Sequence, residues 1–343
     1  MTSILAVTMG DPAGIGPEVI VGAWGDTRIH DQARPLVIGH PEILRRAARL
    51  LNYDGGIVEI TGPAALDELN SDPKNIPCIK ACADGVLEVR PGRVDARGGE
   101  AAFQAIQFAA TLALEKKVHG IVTAPLSKAA LHAAGHHYPG HTELLAEFCG
   151  VTDFAMMLYL PPGEAVRSPS GLGVVHVTLH QSLRSVFDDL TSEAIVAKCR
   201  LASDVMRRLR TAAEPRLAVC ALNPHAGEDG LFGDEERDII APAVEQARRT
   251  GLTVSGPYPT DTLMLRARDG EFDAVIAMYH DQGHIALKLL GMHAAVNITL
   301  GLPIVRTSVA HGTAFDRAWQ GSARPDGMVA AIQTAAKLIP RRR

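Results

Sequence analysis

A chain of 343 residues with 47% hydrophobic and 21% charged side chains has the balance of a globular protein of about two domains. Its formal net charge of −4 excludes nucleic acid as a bulk electrostatic partner, while leaving room for a local basic site for one phosphate. Aromatic residues make up only 4%, so the core must be built mostly from Ala, Val, Leu and Ile.

Short apolar runs alternate with longer helix-like segments, the pattern of a largely parallel α/β sheet. The first eight residues lack a basic leader and read as an opening strand centred on 4–7, not as a signal peptide. A helix at 17–23, a strand at 36–38 and a helix at 41–51 follow. The stretch 62–97, rich in Pro, Gly and Asp, reads as loop. Beyond it come a small-residue helix at 99–115, a strand at 120–123, and helices at 128–134 and 142–148. Strands at 154–160 and 172–177 flank a second loop, 161–170. A helix at 192–210, a strand at 217–222, a helix at 234–250 and a strand at 274–278 complete the pattern. No apolar run reaches the roughly 18–20 residues of a membrane span. The five cysteines include no CxxC and fit reduced thiols in cytoplasm. The arginines at 341–343 read as a solvated tail.

Three histidines are predicted just beyond the carboxyl ends of strands, where open parallel sheets bind ligands. His180 follows the run 173–179, His225 follows 218–222 through Asn223-Pro224, and His280 follows 274–278 through Tyr279. Three imidazoles so placed suit one divalent metal with positions left open for substrate. Three unrelated loop histidines explain the spacing equally well. Asp281 reads either as a carboxylate orienting an imidazole or as a helix N-cap.

Anion sites are sought at helix starts. The string MGDPAGIGPE (9–18) is a helix entry with Pro17 in the first turn, and it fails as a dinucleotide fingerprint because Val19 stands where the third glycine would fall. Residues 139–143 open another helix, with Thr142 as expected N-cap and His141 as an additional donor. Lys288, Asn297 and Arg306 fall on successive segments, and the forked guanidinium of Arg306 suits phosphate.

Several strings, in this order, give the chain a resemblance to the 4-hydroxythreonine-4-phosphate dehydrogenase family: MGDPAGIGPE (9–18), TAPLSK (123–128), GHTELL (140–145), LNPHAGE (222–228), MYHDQGH (278–284), VNITLGLPIVRTS (296–308) and HGTAFD (311–316). The resemblance implies a two-lobed α/β/α sandwich of the isocitrate/isopropylmalate dehydrogenase-like type. We draw one lobe at 1–125 plus 297–343 and the other, with the metal site and dimer interface, at 126–296. It also implies a homodimer with a shared active site, NAD or NADP as cofactor, and a divalent ion such as Zn, Mg, Mn or Co. The family pattern makes His180, His225 and His280 the metal ligands, contributed by both subunits. It puts His141, Thr142, Lys288, Asn297 and Arg306 on a phosphorylated substrate, and His311, Gly312 and Thr313 on the nucleotide. HDQGH (280–284) and GLFGDEE (230–236) are more similar to the paralogue group that acts on D-threonate or D-erythronate 4-phosphate. HVTLHQSLRS (176–185) is similar to a branch oxidising terephthalate cis-dihydrodiol, but Asn297 and Arg306 belong to the phosphate-binding pattern and favour a phosphorylated acid. The implied reaction is oxidation of a carbinol followed by loss of carbon dioxide, with Asp261 and Lys128 as candidate proton acceptors. Competing readings are a cis-dihydrodiol dehydrogenase, a metal-dependent hydrolase or phosphatase, and a non-catalytic sugar-acid binding protein.

Overall fold

Apolar, β-branched runs become the strands of two compact units: Met1–Thr152 with Leu302–Arg343, and Asp153–Gly301. The structure is a computed structural model and describes residues 2–62, 66, 69–210 and 214–340. The C-terminal arginine run, and residues 63–65 and 67–68 of the expected first loop, lie outside the described residues.

In the first unit, strands β1 (Ser3–Thr8), β2 (Ala33–Gly39), β3 (Gly56–Glu59), β4 (Asn75–Lys80), β5 (Gly120–Thr123) and β12 (Val305–Val309) lie in the order β3-β4-β2-β1-β5-β12. Every pairing in it is parallel. Crossover helices α1 (Gly16–Trp24), α2 (Thr27–Gln32), α3 (Pro41–Leu50), α4 (Ala96–Leu114), α5 (Lys128–Ala133), α6 (His141–Phe148) and α12 (Asp326–Leu338) connect and cover it. Both α4 and α12 pack on β1, β2 and β5, which explains why Leu5, Ala6 and Val7 are inaccessible to solvent on both faces of β1. Helix α4 starts at Asp95, whose carboxylate accepts from the Arg97 amide at 2.9 Å. Its buried alanines and Gly99 let α5 approach backbone to backbone, since a Cβ at Gly99 would overlap the carbonyl of Ala130. That packing holds α5 and α6 in the first unit, so the observed boundaries fall at 152/153 and 301/302 where the sequence reading drew 125/126 and 296/297.

The second unit has strands β6 (Ala155–Leu160), β7 (Leu172–His176), β8 (Leu217–Cys220), β9 (Val254–Tyr258), β10 (Ala274–Ala277) and β11 (Val296–Leu300), in the order β11-β6-β7-β10-β8-β9. The β11–β6 and β6–β7 pairs are antiparallel, the other three parallel. Helices α7 (Val186–Asp189), α8 (Ser192–Leu209), α9 (Ala241–Arg249), α10 (Thr260–Arg268) and α11 (His280–Gly291) flank it. Asp273, fully buried before β10, accepts from the Arg216 amide at 2.8 Å and from Ser170 Oγ at 2.8 Å, and pairs with Arg210. These bonds tie three chain segments at the amino ends of the strands, opposite the edge where His180, His225 and His280 emerge.

The expected elements do not include β3, β9, β11, β12, α2, α7, α10 or α12, and two expected segments take another form. The expected loop 62–97 contains β4, whose Pro77 cannot donate a ladder hydrogen bond and so hides the strand signal. The expected helix 234–250 opens with a wide π-type turn, Glu236–Ile240, before α9. Among the described residues no helix is long and apolar enough to cross a membrane.

Candidate active site

Strand order fixes where the histidines emerge. Strands β7, β10 and β8 are adjacent and parallel, with Ala277 of β10 in register with His176 of β7. His180, His280 and His225 lie four, three and five residues beyond the ends of these strands, so all three leave the same edge of the sheet. The pairing continues past β7, where the Val177 amide donates to Ala277 O at 2.8 Å and Thr178 Oγ1 to Met278 O at 2.8 Å. His180 and His280 are thereby held side by side, ring centroids 6.1 Å apart, on a pocket also lined by Gln181, Leu183, Tyr279 and Asp281.

Gln282, which the sequence reading passed over, joins three strand ends. Its Oε1 accepts from the Met278 amide at 2.7 Å, and its Nε2 donates to Ala221 O at 2.7 Å and to Thr260 Oγ1 at 3.0 Å. Asp281 orients rather than caps: its Oδ1 accepts from His280 Nδ1 at 2.6 Å, while the N-cap of α11 is Tyr279 with no side-chain capping bond.

His225 sits in a left-handed turn, with φ of 54° at His225, 58° at Ala226, 46° at Glu228 and 55° at Asp229. Such a run in non-glycine residues costs roughly 1–2 kcal/mol per residue and needs external support. Buried Glu236 supplies it, with Oε1 accepting from the Leu222 and Asn223 amides at 2.7 and 2.8 Å. The exposed His225 ring donates from Nδ1 to Glu228 Oε2 at 3.0 Å. Within one chain, the described residues contain no group of three or more His, Cys, Asp or Glu poised around a common ion. The structure brings His180 and His280 together and puts His225 beyond the neighbouring strand.

Behind His280 lie two further imidazoles that the sequence reading did not single out. His284 stacks on His280 with centroids 3.9 Å apart and planes 10° apart. Its Nδ1 is 3.1 Å from Nε2 of His176, and both rings are buried. Burial pushes His284 down to about 4 and His176 well below the usual imidazole range, so both are neutral at neutral pH. Gly283 permits the arrangement, because a Cβ there would stand 2.5 Å from both His176 Nε2 and Val174 Cγ1. A Gly283→Ala variant therefore loses about 1–3 kcal/mol to overpacking, more than the ~1 kcal/mol that alanine returns to a helix. Thermal unfolding should show a lower midpoint than wild type.

Lys288 lies two turns along α11 from His280, and its charge is felt at His284. Asn297 is on β11 opposite Leu158 of β6. Asp261 is exposed in the first turn of α10, its Oδ1 accepting from the Thr262 amide at 2.8 Å.

The other candidates belong to the first unit. Arg306 is 3% exposed on β12, and its guanidinium donates to Thr123 Oγ1, at the end of β5, at 2.7 Å. Burial lowers its pKa to about 10, partly offset by Glu143, so it remains a cation at neutral pH. His141 is pushed well below its usual pKa first by burial and then by the charges of Arg306 and Lys128. Its Nε2 is buried without a partner. Thr142 is not the N-cap expected of it: α6 starts one residue earlier, at His141, with Gly140 as cap and no side-chain capping bond. Lys128 is exposed at the start of α5.

The loop at 9–18 serves as the bed of segment 311–321. The Ile15 amide donates to Thr313 O at 3.0 Å, and a Cβ on Gly14 would meet Thr313 at 2.9 Å. Buried Glu18 accepts from the amides of Trp319 and Gly321 at 2.5 and 2.8 Å. This fixes the base of the segment carrying His311, Gly312 and Thr313, with Gly312 left exposed.

In the same loop Asp11 is 1% exposed, with Oδ1 accepting from the Ala13 amide at 2.9 Å and Oδ2 without a partner. Its pKa is raised to about 6, chiefly by burial, against the lowering by the Ala13 amide. A carboxyl whose folded pKa exceeds its unfolded one costs stability as pH rises from about 4 to 6, and the cost stays constant above that. Asp11→Asn should accordingly be more stable than wild type at pH 7.5, by up to about 3 kcal/mol. The difference should vanish near pH 4, as read by denaturant unfolding at both pH values.

Two α/β units with polar clusters at their strand ends define an α/β enzyme of the class that works outside the carboxyl edge of its sheets. Residues 31–335 match the family described as "Pyridoxal phosphate biosynthetic protein PdxA", and the chain belongs to this family. The D-threonate 4-phosphate dehydrogenase of Pectobacterium atrosepticum is 44% identical over 342 residues, covering 98% of this chain and 100% of the relative. The crystal structure of 4-hydroxythreonine-4-phosphate dehydrogenase from Klebsiella pneumoniae matches at a TM-score of 0.84 and 45% identity, over 99% of this chain and 100% of that one. A terephthalate 1,2-cis-dihydrodiol dehydrogenase from Burkholderia xenovorans is more distant, at a TM-score of 0.65 and 29% identity over 98% of both chains.

Proposed function

We propose that this protein oxidises a four-carbon, 4-phosphorylated hydroxy acid with NAD, or with NADP in its place, and releases carbon dioxide from the keto acid formed. The observation that carries the reading is Arg306, a solvent-excluded cation next to a neutral His141 and the start of α6, which has no side-chain capping bond. A forked guanidinium beside a helix start suits a phosphate, which accepts charge-assisted hydrogen bonds from the fork and from free backbone N–H groups. Lys288, Asn297 and Thr142 are proposed to add donors to the same substrate.

His180, His225 and His280 are proposed as ligands of a divalent ion. The side chains fit the role: His225 and His280 each give Nδ1 to a carboxylate, which leaves Nε2 as a lone-pair donor. A divalent ion held there would supply Lewis acidity for the substrate hydroxyl and for the negative charge that develops on loss of the carboxylate, and a bound nicotinamide would supply the hydride acceptor. The chain supplies positioning through the remote phosphate, and a proton acceptor, for which Lys128 and Asp261 are the two candidates. The 311–313 segment, braced by Glu18, is proposed to take the nucleotide. Exposed apolar side chains lie beside each metal-binding segment: Leu183 and Phe187, Leu231 and Phe232, and Ile285, Leu289 and Met292. A second subunit covering these side chains is the proposed homodimer, and it would bring the missing third ligand.

The test is NAD reduction, followed at 340 nm, with 4-hydroxythreonine phosphate, D-threonate phosphate, D-erythronate phosphate and a cis-dihydrodiol, each with and without EDTA. EDTA-sensitive turnover of a phosphorylated acid supports the reading. Turnover of the dihydrodiol alone, or phosphate release without NAD, would refute it.

A further inference from the structure

The stacked pair on α11 has a use that the proposed ligand set leaves unassigned. His280, His284 and Lys288 are one helical turn apart and share a face of α11. His284 itself is poorly placed as a ligand. Imidazole lone pairs lie in the ring plane, and stacked rings with centroids 3.9 Å apart and planes only 10° from parallel do not converge on an ion about 2.0–2.1 Å from each nitrogen. Its Nδ1 is moreover engaged with His176. His284 does, however, cover the face of His280, and His176 at the end of β7 fixes His284. Gly283 admits this contact by letting the first turn of α11 press against β7. His280 is thus held on two sides: edge-on by Asp281 and face-on by His284.

We propose that His284, braced by His176, is a positioning residue that fixes the ring of His280 for metal binding. This rests on His280 being a ligand, as proposed above. The experiment titrates metal-free wild type, His284→Ala, His284→Gln and His284→Phe with Co(II), reading visible absorption and competing with a chelator. Wild type should bind cobalt with a nitrogen-ligand spectrum. The Ala and Gln variants, which lose the stacked ring, should bind about 10–100-fold more weakly with a shifted spectrum. The Phe variant, which restores a ring in the same slot, should recover affinity to within a few-fold and have a spectrum close to wild type. Folding is checked by circular dichroism, and the Gln and Phe variants carry the test if Ala does not fold. Equal cobalt affinity and spectra in wild type and Gln would overturn the proposal. So would a Phe variant as defective as Gln, which would make His284 a ligand. Wild type that takes up no cobalt would instead overturn the ligand set itself, and this inference with it.

Discussion

His225→Ala is expected to retain less than about a tenth of the wild-type divalent metal and to lose more than a hundredfold in kcat/KM. Loss of an outer-shell partner of a metal ligand already costs about 10–100-fold, and loss of a ligand costs more. The fold should tolerate the change, because the His225 ring is exposed and its loop is held by Glu236 and Asn223. Metal content by elemental analysis, with kinetics and thermal unfolding on the same preparation, separates the outcomes. A metal-depleted, folded, inactive variant agrees with the ligand role, and a variant that keeps full activity in EDTA removes it.

Arg306→Met should separate binding from stability. The substitution keeps most of the volume but removes a cation that burial already disfavours, as its lowered pKa reports. Thermal stability should fall only modestly, because the Thr123 hydrogen bond and the attraction to Glu143 are lost while a burial cost is lifted. Activity should collapse. Removing one partner of a buried, hydrogen-bonded charge pair costs about 2–5 kcal/mol, a loss of roughly thirtyfold to several thousandfold in kcat/KM for a phosphorylated acid. Both KM and kcat should suffer if phosphate binding positions the reacting carbon. Arg306→Lys should rescue only partly, since one ammonium does not reproduce the fork. An unchanged kcat/KM in Arg306→Met would take Arg306 out of the site.

Much of the fold is legible in the sequence because buried parallel strands are short apolar runs and their positions are hard to disguise. The run 4–7 falls within β1, 120–123 coincides with β5, and 274–278 overruns β10 by one residue. Strand β4 escapes because Pro77 breaks its pattern, and the start of α6 is misjudged by one residue because Gly140 caps without a side chain. The histidines at the strand ends are legible as candidates, but their neighbourhood depends on strand order, which one sequence does not state. The order β7-β10-β8 is what puts 180, 280 and 225 on one edge, on adjacent strands. Gln282, His284 and His176 act through contacts between segments more than a hundred residues apart or across strand ends, and no local spacing signals such contacts. Glu18 is similar: it looks like an acidic first-turn residue of α1, and its partners lie three hundred residues away.

Anomalous scattering from a crystal of the metal-loaded protein, recorded across the absorption edge of the bound ion, addresses the ligand set most directly. The account predicts one strong peak per site, about 2.0–2.1 Å from an imidazole nitrogen of each of His180, His225 and His280, with at least one supplied by the second subunit. A peak ligated by other side chains, or the three rings spread over more than about 10 Å in the assembled protein, would contradict it.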